Sequence, residues 1–487
     1  MKLNKTSLFL IPLLLTGCAQ NNPNPGGESQ VEENCLIKED TSIDFLCMVD
    51  GDYLKKLQSM VDSFMQEEPH VKVRLYNPLG SGDYSAIERV IVAGFFKEDY
   101  PDIAQCYPDN VVKYIAQGYA INVDNFLNNE IYGIASDKDD YISAFLEEGT
   151  KYTVEGTYSL PFCKSTELMY YNADALIGLD LSSVDNTINE GHPLTEAYLD
   201  NLTWSELLDK LCPAIYSYNE SQTDENKIYD NSDPQSAVFT YDSDENFFIT
   251  LANQYGYGYT SITDEGVGSI DFDNPGMRAM VKKLKIAKDL KYVQTRGSNY
   301  RDYVSNLFTA RKALFTVSST ASLSYNYNKK NPFDIGVARL PHAENKEYVS
   351  INQGPSVCLL NHNDDNRSLA SYLLWKHITT QHNSSSWSLA TGYMNIRNSS
   401  YETEEYIDAL NKGDDPTADL YDVIKSSNLK KIMEVKESTF NTYVFKGSSN
   451  ARSNVGLLLT DALLSDGSDE AINDLFVHYS EEAKEHL

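Results

Sequence analysis

Two hydrophobic periods alternate along residues 41–107, and this alternation restricts the fold more than any other feature of the chain. Ile43, Phe45, Cys47 and Val49 recur at every second residue, as in a strand with a buried face. Asp50-Gly51-Asp52 turns the chain. Leu54, Leu57, Val61 and Phe64 then recur at spacings of three and four, predicting an amphipathic helix that stops before Pro69. Val71, Val73 and Leu75 read as a second strand, 86–96 as a second helix and 101–107 as a third strand. Strands separated by helices predict βαβ units on a mainly parallel sheet, an α/β fold. Farther on, Asn274 and Pro275 form a helix start, with Asn274 as N-cap and Pro275 in the first turn. Residues 313–317 and 335–337 read as strands, 367–380 as a helix, and 461–487 as one or two acidic helices. The polar, Asn-rich stretches 181–197 and 216–236 read as surface loops, and no internal repeat is present.

The N-terminus belongs to targeting rather than to the fold. Lys2 and Lys5 precede a short apolar run, which ends at Leu15-Thr16-Gly17-Cys18. This is a secretory signal too short to span a bilayer, and its end has the pattern of a bacterial lipobox. Residues 1–17 are therefore expected to be removed, and Cys18 to carry the lipid that anchors the mature chain on the outer side of the cell membrane. Residues 18–40, rich in Asn, Pro, Gly and Glu, read as a flexible tether. About 470 residues remain, on the order of two to three domains.

Charge and cysteine usage narrow the partners. Lys+Arg 40 against Asp+Glu 71 gives a net charge of −31, which argues against nucleic acid and against a polybasic grip on lipid. Beyond Cys18 there are six cysteines: Cys35, Cys47, Cys106, Cys163, Cys212 and Cys358. Their spacing permits many pairings and chooses none, and no CxxC pair suggests zinc. The apolar, strand-like settings of Cys47, Cys106 and Cys358 favour free buried thiols over a disulfide framework. Neither G-x-S-x-G nor HExxH is present, and Gly80-Ser81-Gly82 lacks the Lys-Ser/Thr of a phosphate loop. The eight histidines form no metal-like cluster, and the acidic runs Asp242-Ser243-Asp244-Glu245 and Asp364-Asp365 read as solvated surface. No catalytic role, cofactor or metal is expected.

The positive signal is the order of several short segments. Glu68-Pro69-His70-Val71-Lys72-Val73 is similar to a "YPxIKV" strand, Pro101-Asp102-Ile103 to a "PDI" strand, and 156–172 (GTYSLPFCKSTELMYYN) to "G-x-x-Y-x-L-P…LYYN". Thr203-Trp204-Ser205-Glu206 resembles a "TWxEL" helix start, 308–317 (FTARKALFTV) an "F-x-x-G-K-A-A-M" region, and 387–397 (WSLATGYMNIR) "W…TGYLPVR". In this order they resemble the solute-binding proteins of ABC importers, within the maltose-binding-protein-like carbohydrate family, over residues 42–400. Arg311 stands where the family usually has Gly and Asn395 where it usually has Pro, and 318–322 lacks the family's aromatic.

The resemblance implies a two-lobed periplasmic-binding-protein type II fold with a hinge. Lobe one is expected at 41–160 and 273–320, and lobe two at 161–272 and 321–487. The implied function is capture of a sugar or oligosaccharide by hinge closure, for ABC permease subunits, by a monomer. A glycerol-3-phosphate or glycerophosphodiester ligand is the nearest alternative, with Arg397 the marked phosphate partner; a surface glycoside hydrolase is a more distant one. Strand ends and family ligand loops together mark Asp50, Tyr107, Asp109, Phe162, Glu167, Ser318, Gln353, Gly354 and Tyr393 as ligand-binding candidates. Asp50 and Asp109 can equally cap helices, and Trp204, Trp375 and Trp387 read as packing residues. For the anchor, Cys18→Ser is expected to move the protein from the membrane fraction to the soluble fraction; retention equal to wild type would remove the lipobox reading.

Overall fold

The computed structural model describes residues 35–77, 84–263 and 266–487, so the expectations for Cys18, the signal, most of the tether and Gly80-Ser81-Gly82 lie outside the described residues. Two five-stranded sheets organise the chain. In the first, Thr41–Leu46 pairs in parallel with Val71–Tyr76 and Ile103–Cys106. Ser356–Leu359 then runs antiparallel to both Ile103–Cys106 and Leu160–Pro161. The alternation at 43–48 acts as expected, but on two buried faces. Ile43, Phe45 and Cys47 enter one core with Leu57, Val61 and Phe64 of the helix Gly51–Glu67. Leu46 and Met48 enter another core on the opposite side.

The second sheet has the order Ile335–Ala338, Glu167–Asn172, Phe315–Ser319, Phe239–Tyr241, Val293–Thr295. Its last three strands are parallel to one another, and the first two pairings are antiparallel. The helix Pro275–Asp289 begins as the sequence implies: the Asn274 side chain accepts from the Met277 amide at 3.0 Å. One expectation is redrawn. Val293–Thr295 and Phe315–Ser319 fall within the 273–320 segment assigned to lobe one, yet both pair in the second sheet. The return to the first sheet comes later, at Ser356–Leu359, followed by the helix Asp365–Ile378, which packs on Thr41–Leu46 and Gly51–Glu67. Local periodicity identifies a strand but carries no information about which of two distant sheets completes its hydrogen bonds.

Two chain segments pass side by side between the lobes. Phe162–Thr166 leads out of the first sheet and Asn352–Pro355 leads back. They pair by Ser165 N–H to Gln353 O at 2.8 Å, Gln353 N–H to Ser165 O at 2.9 Å and Cys163 N–H to Pro355 O at 2.9 Å. Gly354 has φ of 90°, and a Cβ there would meet the Cys163 carbonyl oxygen at 2.0 Å, so only glycine lets the two strands approach. Lys164 lies fully buried between them. Its ammonium reaches Glu148 Oε2 at 2.5 Å and Gly354 O at 2.8 Å, and Asn352 and Ser356 also donate to Glu148. The Trp375 indole donates to Pro161 O at 2.9 Å, fixing the first crossing against the helix Asp365–Ile378. The six cysteines from Cys35 to Cys358 are all buried. The chain ends in two helices, Ser448–Leu464 and Asp469–Lys484, packed against the helices Asp244–Tyr255 and Pro275–Asp289.

Breaking a buried ion pair strands one charge in a low-dielectric site. Glu148→Gln or Lys164→Met is expected to lower unfolding free energy by about 3–5 kcal/mol, and Lys164→Met with Glu148→Leu to recover part of that loss. Urea titration followed by circular dichroism checks this; singles within about 1 kcal/mol of wild type would show that the pair does not hold the crossing.

Candidate functional site

The carboxyl ends of several strands open onto one cavity of about 580 Å³ between the lobes. Tyr107 and Asp109 come from the first lobe, just after Ile103–Cys106, where Pro108 starts the helix Pro108–Ala116. Ser165, Gln353 and Gly354 come from the crossing strands. Glu167, Asp242, Arg296 and Ser318 sit at one end of the second sheet, beside or just beyond its strands. This placement follows from the sheets: parallel strands leave their carboxyl ends, and the loops after them, on one edge.

Glu167 is central. It is 2% exposed, accepts from the Tyr241 hydroxyl at 2.5 Å and from Asn246 Nδ2 at 2.9 Å, and burial raises its pKa to about 7. The Asn246 amide also donates to Gln353 Oε1 at 2.8 Å, which joins the second lobe to the crossing. The Arg452 guanidinium donates to Asn246 Oδ1. Burial likewise raises Asp242 to about 7, against the Arg296 charge that opposes it, and Asp244 to about 6 despite bonds from Thr295 and the Gly297 amide. Desolvation pushes the Tyr107 hydroxyl up to about 12 and Tyr393 well above its usual range, so both stay neutral rings carrying a hydroxyl at ordinary pH. Asp109 is not the N-cap of its helix; Tyr107 holds that position, and Asp109 Oδ1 accepts from Ser448 Oγ at 2.6 Å.

Seven of the nine sequence candidates line this cavity: Tyr107, Asp109, Glu167, Ser318, Gln353, Gly354 and Tyr393. Two lie elsewhere. Phe162 is a packing residue, stacked on Trp387 with ring centroids 5.4 Å apart and edge-on to Phe45 at 6.4 Å. It opens the first crossing segment, directly after Leu160–Pro161, where its side chain still faces the core of the first lobe. Asp50 is exposed at the N-cap position of Gly51–Glu67, without a side-chain cap bond. Trp204 and Trp375 are buried as expected, and Trp204 donates to Gln254 at 2.7 Å. Arg397 pairs with Asp137 and Asp140 and stacks over Tyr141, away from the cavity. The acidic run at 242–245 is corrected: Asp242, Ser243 and Glu245 line the cavity and Asp244 is buried, because they follow the buried strand Phe239–Tyr241. Sequence reading also missed Asn246, Arg296, Tyr303, Tyr325 and Arg452. Only the strand end before Asp242 offered a signal for any of these. Among the described residues no group of His, Cys, Asp and Glu could hold a metal, and no helix is long and apolar enough to cross a membrane.

A raised carboxyl pKa in the folded state means that folding is favoured by the protonated form. The Glu167 contribution therefore penalises the fold fully above about pH 7 and fades as pH falls towards the ordinary glutamate value of 4.5. Glu167→Gln is expected to gain stability relative to wild type as pH rises from 4.5 to 7, on the order of 3 kcal/mol across that window. Thermal or urea unfolding of both proteins at several pH values reads this difference; a pH-independent difference would refute it.

Comparison with known proteins agrees with this geometry. A family model described as bacterial extracellular solute-binding protein matches residues 59–412. Among solved structures, UgpB from Mycobacterium tuberculosis in complex with glycerophosphocholine is 17% identical with a TM-score of 0.67, covering 91% of this chain and 97% of that one. The substrate-binding protein Lmo0181 from Listeria monocytogenes in complex with cycloalternan is 14% identical with a TM-score of 0.66, covering 92% and 99%. The sugar-binding protein MalE from Xanthomonas citri is 15% identical with a TM-score of 0.64, covering 91% and 98%. A comparison with curated protein sequences finds no match. These likenesses establish the two-lobed fold, and the family match extends over most of the chain: it belongs to the bacterial extracellular solute-binding proteins.

Proposed function

We propose that this chain captures a sugar or short oligosaccharide outside the cytoplasm and presents it to the permease subunits of an ABC importer. The observation that carries this reading is the cavity's chemistry. Tyr107, Tyr303, Tyr325 and Tyr393 supply ring faces, and Asp109, Glu167, Asn246, Gln353, Ser318 and Arg296 supply donors and acceptors around them. Sugars offer both apolar ring faces and dense hydroxyls, and a cavity of about 580 Å³ is in the range of small-molecule sites. Closure about the crossing segments would seal the ligand between the lobes, since both segments carry lining residues. We further propose that Cys18 carries a lipid anchor, that the protein acts as a monomer, and that it binds its ligand without converting it.

A second reading, a glycerophosphodiester, is supported by Arg296 and Arg452 in the cavity and by the glycerophosphocholine complex of UgpB. The acidic groups Asp109, Glu167, Asp242 and Glu245 surround these two guanidiniums, so even with Glu167 and Asp242 partly protonated the cavity offers no net positive charge, which favours a neutral polyol.

Melting of the purified mature chain with maltose, maltotriose, glycerophosphocholine or sn-glycerol-3-phosphate separates the two, since a ligand that binds only the native state raises the melting temperature. A sugar is expected to stabilise it. Tyr107→Ala and Tyr393→Ala should each weaken binding of that sugar by about 1–3 kcal/mol in calorimetry, through lost ring burial. Unchanged affinity in both would place the ring platform elsewhere, stabilisation by the phosphodiester alone would replace the sugar reading, and chemical conversion of the probe would replace the binding reading.

A further inference from the structure

The segment between the strand Val293–Thr295 and the helix Ser305–Thr309 lines the cavity near both of its ends, through Arg296 and Tyr303, but its tip is built against its own chemistry. Tyr300 and Arg301 have φ of 54° and 62°, and the Asp302 amide donates to the Asn299 carbonyl at 2.9 Å. A tight turn with both central residues left-handed is the one that Asn-Gly serves best. We propose that the turn Asn299–Asp302 is a lid on the cavity, which stores backbone strain in this conformation and relaxes to right-handed backbone as Tyr300 folds over a bound sugar. The proposal rests on the sugar reading and adds a closing step to it.

Nothing local favours this backbone. In left-handed backbone a Cβ crowds the following carbonyl oxygen. Asn and Asp offset that by bonding to their own main chain, which a tyrosine ring and an arginine stem do not. Among the described residues Tyr300 is the only aromatic at positive φ, and the other adjacent pair, Asn189 and Glu190, begins with Asn. Nor do contacts hold the tip. Tyr300 is 83% exposed and Arg301 is exposed, and among the described residues neither side chain makes a hydrogen bond, ion pair or ring contact.

The stems, by contrast, are fixed. Asn299 is buried, and its amide donates to Thr295 O at 2.9 Å. The Gly297 amide donates to Asp244 Oδ2 at 2.7 Å and the Val304 amide to Asp242 Oδ1 at 3.3 Å. Tyr303 is half exposed and lines the cavity, with the Arg296 guanidinium over its ring at 4.0 Å. A rearrangement is therefore confined to the turn and disturbs neither strand nor helix. Strain that no contact enforces persists where another state of the molecule rewards its release, and such strain clusters at binding sites. Freed from the turn, the Tyr300 ring can cover an apolar sugar face beside Tyr303 and keep water from the hydrogen bonds beneath it.

Binding compares two folded states, so effects on the unfolded chain drop out and matched substitutions isolate the backbone. The full mature chain is titrated by calorimetry with whichever of the same four probes raises the wild-type melting temperature. The variants are Arg301→Ala, Arg301→Gly and Arg301→Asn, with Tyr300→Ala and Tyr300→Gly. Alanine keeps the strained Cβ and glycine removes it. Arg301→Gly is expected to bind roughly threefold to tenfold more weakly than Arg301→Ala, because less strain is left to release. Arg301→Asn tolerates the left-handed turn without the freedom of glycine and should follow Arg301→Gly. Tyr300→Gly should likewise bind more weakly than Tyr300→Ala, and both more weakly than wild type, through the lost ring. In wild type, hydrogen exchange at the amides of residues 300–303 should slow when the probe is bound. Equal affinities within the Ala and Gly pairs, Arg301→Asn binding like Arg301→Ala, or exchange in the turn unchanged by bound probe overturns the lid and leaves the sugar reading standing. Failure of every probe to stabilise wild type overturns the sugar reading, and the lid falls with it.

Discussion

Everything that makes this chain a two-lobed molecule with a usable cleft passes through the buried ammonium of Lys164. Two crossing segments must run side by side with their carbonyls away from water, and a charge at that point is costly unless fully satisfied. Lys164 is satisfied by Glu148 and by the Gly354 carbonyl, while Asn352 and Ser356 use the rest of the Glu148 carboxylate. Gly354 lets the strands close together, and Trp375 holds the first segment from below. Ser165, Glu167 and Gln353 stand directly beside this network, so the base of the cleft inherits its rigidity.

The cleft shows how burial reshapes charge in an acidic protein. A net charge of −31 suggests a strongly negative site, yet desolvation lifts Glu167 and Asp242 to about 7, so near neutral pH much of their charge is suppressed. Arg296 lies over the Tyr303 ring at 4.0 Å, and Arg452 stands opposite Asp109 and Glu245. Donors and acceptors thus alternate without one sign dominating. Such a surface recognises hydroxyl groups by direction of hydrogen bonding and gains little from a ligand's net charge.

The C-terminal helix pair serves the core and the cleft at once. Its apolar face joins the existing core of the second lobe, and its polar first turn reaches the cleft. A helix with one buried stripe needs no sheet contacts, and it shapes the cavity wall through only a few side chains.

Local periodicity and cap chemistry were readable because they depend on neighbours three or four residues away. The alternation at Ile43–Val49, the helix on Leu54–Phe64, the Asn274 cap and the α/β class needed nothing more. Most of the marked residues that line the cavity do so for a related reason: strand ends lie on one edge of a sheet, and strand ends are visible in sequence; Tyr393, just past the helix Gln381–Thr391, was marked only through the family's ligand loop. What the chain could not announce was long-range. Whether Phe315–Ser319 joined the first sheet or the second depended on hydrogen bonding to Glu167–Tyr171, about 150 residues earlier. Phe162 and Glu167 stand five residues apart, but one packs on Trp387 and the other lines the cleft. Arg452 has no distinguishing neighbours in sequence, and it gains its place only because a helix packed elsewhere carries it there. Secondary structure and class were set by local spacing; sheet membership, the charge state of Glu167 and the full membership of the site were decided by tertiary contacts, because burial and distance exist only once the lobes are assembled.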